Sequence, residues 1–222
     1  MSAPQVVVFD VNETLSDMAP LARRFADVGA PSALARLWFA ALLRDGFART
    51  VAGESERFAV LAESGLRVVL HGTPLDRPVD DAVAHVLDGF AALSCHPDVP
   101  PGVRALRARG LRLVTMSNGA AAVAERLLGD AGLRGEFEHV LSVEEAGVWK
   151  PHPGAYGYVA QVCGVAEQDL LMVAVHPWDL DGAARAGLRT AWVDRTGAPY
   201  PAYCRPPDYR VPRLDLLADA LG

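Results

Sequence analysis

Short apolar runs without polar alternation punctuate this chain, and their spacing predicts its architecture. The first, Gln5-Val6-Val7-Val8-Phe9-Asp10, is β-branched and continuous, as a strand buried on both faces of a parallel sheet must be. It stops abruptly at Asp10-Val11-Asn12-Glu13-Thr14. Similar runs follow at 111–116, 139–142, 170–175 and 190–193. Between them lie stretches of helical character near 120–131, 153–164 and 180–187, each closed by a glycine at 132, 164 or 187, the usual residue just past a helix end. Strands alternating with helices at this spacing predict βαβ units around a parallel sheet.

Residues 16–94 break the rhythm. Helical patterns cover 21–28, 32–43, 54–70 and 79–93, with no clear parallel strand among them. The expected fold is therefore α/β: a doubly wound, Rossmann-like parallel-sheet core formed by 1–15 and 95–222, carrying an inserted helical cap domain, 16–94. Pro97 to Gly102 marks the return to the core. The tail over 196–212, rich in Pro and Tyr, is expected to wrap the surface before a short helix over 213–221.

Composition narrows the classes. Of 222 residues, 51% are hydrophobic and 22% charged, with 21 basic against 27 acidic side chains and a net charge of -6. That is too apolar and too weakly charged for general disorder. It offers no basic stripe for nucleic acid. No apolar run approaches the ~18–20 residues of a membrane helix. The start, Met1-Ser2-Ala3-Pro4-Gln5, has no basic region followed by an apolar one, so no signal peptide is expected. Three widely spaced cysteines, Cys95, Cys163 and Cys204, form no CxxC pair and suit reduced thiols in the cytoplasm. The expectation is a cytoplasmic globular protein without nucleic-acid or membrane partners.

Ligands of open α/β sheets bind at the carboxyl ends of the strands. Four polar clusters fall there: Asp10 to Thr14, Ser117-Asn118-Gly119, Lys150 before a helix, and His176 to Asp179. One such carboxylate can be a mere helix cap. Four clusters at successive strand ends mark an active site.

The segment Phe9-Asp10-Val11-Asn12-Glu13-Thr14-Leu15, with Ser117-Asn118, Lys150-Pro151 and Asp179, resembles the four motifs of the haloacid dehalogenase superfamily. The resemblance spans the whole chain and includes a cap inserted after the first motif. Most of that superfamily are phosphatases with an Asp-x-Asp-x-Thr pattern, whose second Asp is the general acid. Here that position is Asn12, which cannot deliver a proton as a carboxylic acid does. Aligning Asp179-Leu180-Asp181-Gly182-Ala183 with the fourth motif places Ala174 where the earlier of two Mg²⁺-holding acids should stand, and Mg²⁺ needs oxygen ligands.

The pattern is more similar to the (S)-2-haloacid dehalogenase branch, which works without metal or other cofactor. That resemblance makes Asp10 the nucleophile. It makes Arg36, early in the cap, the arginine that meets substrate and leaving halide. It also assigns active-site places to Tyr156, six residues after Lys150, and to the Trp178-Asp179 pair. Two positions depart from the branch: Ala174 stands where Ser is usual, and His176 where Asn is usual. The resemblance also allows a homodimer, although no exposed apolar stripe in the sequence argues for one.

The chemistry is consistent with this assignment. A carboxylate displacing halide must be ionised, with a cation nearby, and Lys150 supplies that charge. The substrate carboxylate needs donors, which the Ser117 hydroxyl and the backbone N–H groups of Val11 and Asn12 offer. Arg36 and Asn118 offer donors to the halide. The expected reaction turns short 2-haloalkanoic acids into 2-hydroxy acids through an ester on Asp10. Thr14 orients that carboxylate, and Asp179 or His176, an imidazole able to exchange protons near neutral pH, activates the ester-cleaving water.

Other outcomes fit the same residues. The chain could hydrolyse another α-substituted acid, such as a cyclic imino acid, act as a Mg²⁺-dependent phosphatase, or be an idle interaction protein. Thr14 could also cap a following helix, Arg36 could be a solvated helix arginine, and Tyr156 could be core packing. Trp38 and Phe39 read as cap core and Glu13 as a first-turn helix residue. Glu144, Glu145, His96 and His152 read as surface or loop groups.

Overall fold

A computed structural model describes residues 4–222. Met1, Ser2 and Ala3, which contribute to the expectation of no signal peptide, lie outside the described residues. In chain order the elements are β1 (Val6–Phe9), α1 (Leu21–Ala26), α2 (Leu34–Val51), α3 (Phe58–Leu70), α4 (Val79–Ala91), α5 (Val99–Ala108), β2 (Arg112–Ser117), α6 (Ala121–Asp130), β3 (His139–Ser142), α7 (Val143–Ala146), α8 (Pro153–Cys163), β4 (Leu170–Ala174), α9 (Pro177–Arg185), β5 (Arg189–Val193), β6 (Tyr209–Val211) and α10 (Leu217–Ala220). Two compact units result. One takes the chain up to Ser16 and from Ser94 to Gly222, the other Asp17–Leu93.

Among the described residues, the first unit holds a six-stranded sheet in the order β3-β2-β1-β4-β5-β6, with every neighbouring pair parallel. This is the expected doubly wound α/β core. Every residue of β1 is fully buried, because helices cover both faces of a parallel sheet. Val7, Phe9, Leu171 and Val173 join Val103, Leu106, Leu127 and Leu214 in one apolar cluster. Strand order reverses between β1 and β4, and an open sheet forms its ligand crevice at such a switch point. Asp10 follows β1 there, and residues 175–179 follow β4.

The second unit is helical. Its core gathers Trp38, Phe58 and Phe90, with Trp38 edge-on to Phe90 at 5.8 Å and Phe58 stacked on Phe90 at 5.3 Å. The buried Trp38 Nε1 donates to the carbonyl of Ala62 at 3.0 Å, satisfying the one polar atom of that ring.

Several local expectations are corrected. Where Pro97 to Gly102 marks the return to the core, α5 starts at Val99 with Pro in its first positions, where a missing N–H costs nothing. The tail does not merely wrap the surface: its residues 209–211 pair with β5 as a sixth strand. Glu13 is not in a helix. It has φ of 64° in a tight turn, and the next helix begins at Leu21, so Thr14 caps none. Helix α2 runs on to Val51, past the predicted end at 43. Glu145 closes a capping box with Ser142 at the start of α7, and His152 caps α8 by accepting from the Gly154 amide.

Candidate active site

Asp10 leaves β1 with its amide bonded to the carbonyl of Val173, so its side chain emerges at the switch point. Both carboxylate oxygens are engaged. Thr14 Oγ1 donates to Oδ2 at 2.6 Å, and Lys150 Nζ donates to Oδ1 at 3.0 Å. Thr14 Oγ1 itself accepts from the amide of Val175 at 3.1 Å. A single hydroxyl therefore ties the end of β4 to the nucleophile candidate.

Lys150 has no exposed side-chain surface. Its ammonium bridges Asp10 and Asp179, with the bond to Asp179 Oδ2 at 2.6 Å. Burial alone would pull the lysine down; the two carboxylates beside it outweigh that, and its pKa moves up. It is a fixed cation. Asn118 sets its place: the side chain donates to the Lys150 carbonyl at 3.2 Å and accepts the Lys150 amide at 3.0 Å. Asn118 thus positions Lys150, beyond the halide contact expected of it.

Asp179 lies in the first turn of α9 and is fully buried. Burial pushes its carboxyl above the ordinary range, against the pull of Lys150. Tyr156 donates to Asp179 Oδ1 at 2.7 Å. Burial, then the charge of Asp179, raises that phenol well above its ordinary value, so it remains a donor. Tyr156 is therefore both core and site. Gly182 makes the arrangement fit, since a Cβ there would stand 2.7 Å from the Tyr156 hydroxyl and 2.5 Å from Pro151 Cβ. No pattern in the sequence marks this glycine, whose requirement is visible only once the chain is folded.

Asn12 and Ser117 meet beside Gly119, where a Cβ would lie 3.2 Å from Ser117 Oγ and 3.4 Å from Asn12 Nδ2. Ser117 Oγ accepts from the Gly119 amide at 2.9 Å and keeps its own hydrogen to donate. Val11 packs its side chain into the core, leaving only its backbone for ligand. His176 Nε2 lies 3.2 Å from the Asn12 carbonyl, 3.5 Å from Glu13 Oε2 and 3.7 Å from Asp10 Oδ2. A carbonyl only accepts, so that nitrogen carries the hydrogen. Trp178 stacks on the imidazole, centroids 5.1 Å apart. Of the site residues expected from the sequence, Arg36 alone belongs to the other unit, exposed on α2.

Known proteins resemble this chain along its length. A family model described as haloacid dehalogenase-like hydrolase matches residues 4–187. The chain is 29% identical to haloacetate dehalogenase H-2 of Moraxella sp. (strain B), over the full length of both. It is 30% identical to an (S)-2-haloacid dehalogenase of Pseudomonas sp. (strain YL), over 94% of this chain and 90% of that one. An L-2-haloacid dehalogenase of Xanthobacter autotrophicus, solved with chloropropionic acid covalently bound, superposes with a TM-score of 0.87 at 26% identity, over 97% of each chain.

Proposed function

The chain belongs to the haloacid dehalogenase-like hydrolases, and from that premise we propose that it hydrolyses short 2-haloalkanoic acids to 2-hydroxy acids through an ester on Asp10. The observation that carries the reading is the ammonium of Lys150, held at hydrogen-bond distance from Asp10 and Asp179 at once.

Asp10 attacks C2 from the side opposite the halogen. A C–O bond forms as the carbon–halogen bond breaks, halide leaves with the bonding pair, and C2 inverts. Asn12, Ser117 and the amides of Val11 and Asn12 hold the substrate carboxylate, and Asn118 offers a donor to the halide. Among the described residues those two amides have no hydrogen-bond partner. Water then adds to the ester carbonyl. The carbonyl oxygen faces Lys150 or Thr14, donors already in place for the developing negative charge, and such preset donors are usually the largest catalytic contribution. Collapse returns Asp10 as carboxylate and frees the hydroxy acid and a proton. Asp179 holds Lys150 and, with His176 and Trp178, borders the water's approach.

Cys95 does not compete as nucleophile, because burial pushes its thiol up to about 11. The described cysteines are all free, which supports a cytoplasmic setting. No helix among the described residues is long and apolar enough to cross a membrane.

Halide release from chloro-, bromo- and fluoroacetate and from both enantiomers of 2-chloropropionate tests the proposal. The expected outcome is release from the haloacetates and from the (S) enantiomer, which yields (R)-lactate. Release from none of them overturns it.

A further inference from the structure

Three successive carbonyl oxygens behind the Asp10 carboxylate accept from side chains of three separate segments. His176 Nε2 lies 3.2 Å from Asn12 O, His96 Nε2 3.1 Å from Glu13 O, and Arg195 Nη2 2.9 Å from Thr14 O. The carbonyls on either side are also taken: Val11 O by the amides of Leu15 and Ser16, and Leu15 O by the amide of His96. Every peptide plane from 11 to 15 is thereby fixed. A trans peptide carries its N–H opposite its C=O, so anchoring the carbonyls sets where the amides face. Glu13 holds a left-handed φ of 64° within this segment, a conformation that a side-chain-bearing residue keeps only where its surroundings impose it.

The Arg195 anchor is itself preset. Its Nη1 donates to both oxygens of Asp98, at 2.9 and 2.8 Å, and Asp98 also accepts the amide of Leu214 at 2.6 Å. Arg195, His96, Asp98 and Arg213 line a surface cavity of about 330 Å³. A small cation in solution can therefore reach the place of this guanidinium.

We propose that Arg195, set by Asp98, and His96 are positioning residues for the displacement step. By holding Thr14 O and Glu13 O they keep the Thr14 hydroxyl on Asp10 and the nucleophile on its line of attack. The proposal rests on the dehalogenase reading for its rate consequence, but the order of the loop is a separate observable. A misplacement of about 1 Å in a reacting group costs about 10²-fold in rate, and that is the scale expected here.

Arg195→Ala should lower the single-turnover rate of ester formation on chloroacetate by about 10²-fold, with KM little changed. Amide exchange at residues 11–16 should quicken while the sheet keeps its protection. Methylguanidinium should restore both, and Arg195→Lys should retain part of the rate. Wild-type kcat and wild-type exchange at 11–16 in Arg195→Ala would overturn the proposal. So would a loss that methylguanidinium leaves uncorrected and that comes with faster exchange throughout the core, because Arg195 would then be holding the fold. If the wild type releases no halide, the dehalogenase reading fails, and exchange at 11–16 still decides whether the clamp exists.

Discussion

Lys150 and Asp179, neither with any exposed side-chain surface, are joined at 2.6 Å, and the same ammonium reaches Asp10 at 3.0 Å. Two buried carboxylates share one cation. Removing the cation leaves both uncompensated, so Lys150→Met should destabilise the fold by about 3–5 kcal/mol and abolish turnover. The pH dependence has a definite sign. A lysine whose pKa is raised on folding contributes stability that is complete below the ordinary lysine value of about 10.4 and fades as pH rises through the folded one. Urea unfolding of wild type and Lys150→Met should show a gap that narrows as pH rises above about 10. A gap that widens in alkali would contradict the arrangement.

Asp10 should carry the substrate as an ester. In H₂¹⁸O under single turnover, label should enter the Asp10 carboxylate before it enters the hydroxy acid, and mass spectrometry of the peptide containing residue 10 reads it. Label appearing first in product would mean that water attacks C2 directly. Asp10→Asn should release no halide at all.

How far the sequence foretold this molecule differs from level to level. The β1 run and the glycine-ended helices needed only period and punctuation, and the doubly wound sheet followed from them. Strand β6 was missed because Tyr209-Arg210-Val211 is three residues long and lies in a tail rich in proline; pairing with β5, not propensity, makes it a strand. Glu13 was misread for a related reason. A dipole argument favours an acid in a helix's first turn, but the carbonyl anchors from His176, His96 and Arg195 hold the segment in a turn. Those anchors are 83 or more positions from the carbonyls they hold, and no local pattern announces them. The motif residues Asp10, Lys150 and Asp179 stand out by their strand-end positions and by the family resemblance, whereas Gly182 and Asp98 become meaningful only through what touches them.

Turnover should survive chelation. Asn12 and Ala174 stand where the phosphatase design places acids, and the Lys150 ammonium already bridges the two remaining carboxylates, so the positive charge is supplied by the chain. Halide release measured after dialysis against EDTA should equal that of the untreated enzyme. Loss on chelation with recovery in Mg²⁺ would favour phosphatase-like chemistry.

His176 is the residue whose part the geometry redefines most. An imidazole beside the nucleophile invites the role of general base, which is worth about 10²–10⁴ in rate where it operates. A base needs a lone pair directed at its proton, however. The three oxygens around Nε2, from Asn12, Glu13 and Asp10, make that nitrogen the donor. What His176 does through it is hold the Asn12 carbonyl, and the side-chain amide of an asparagine offers the same kind of N–H. His176→Asn should therefore keep both the halide burst and the pH profile of ester decay in single turnovers. His176→Leu, which keeps bulk but has no donor, should slow ester formation while the fold persists by circular dichroism. An ester that accumulates in His176→Asn, with the wild-type ionisation gone from its decay, would restore the imidazole as base through its other nitrogen and leave Asp179 only the task of holding Lys150.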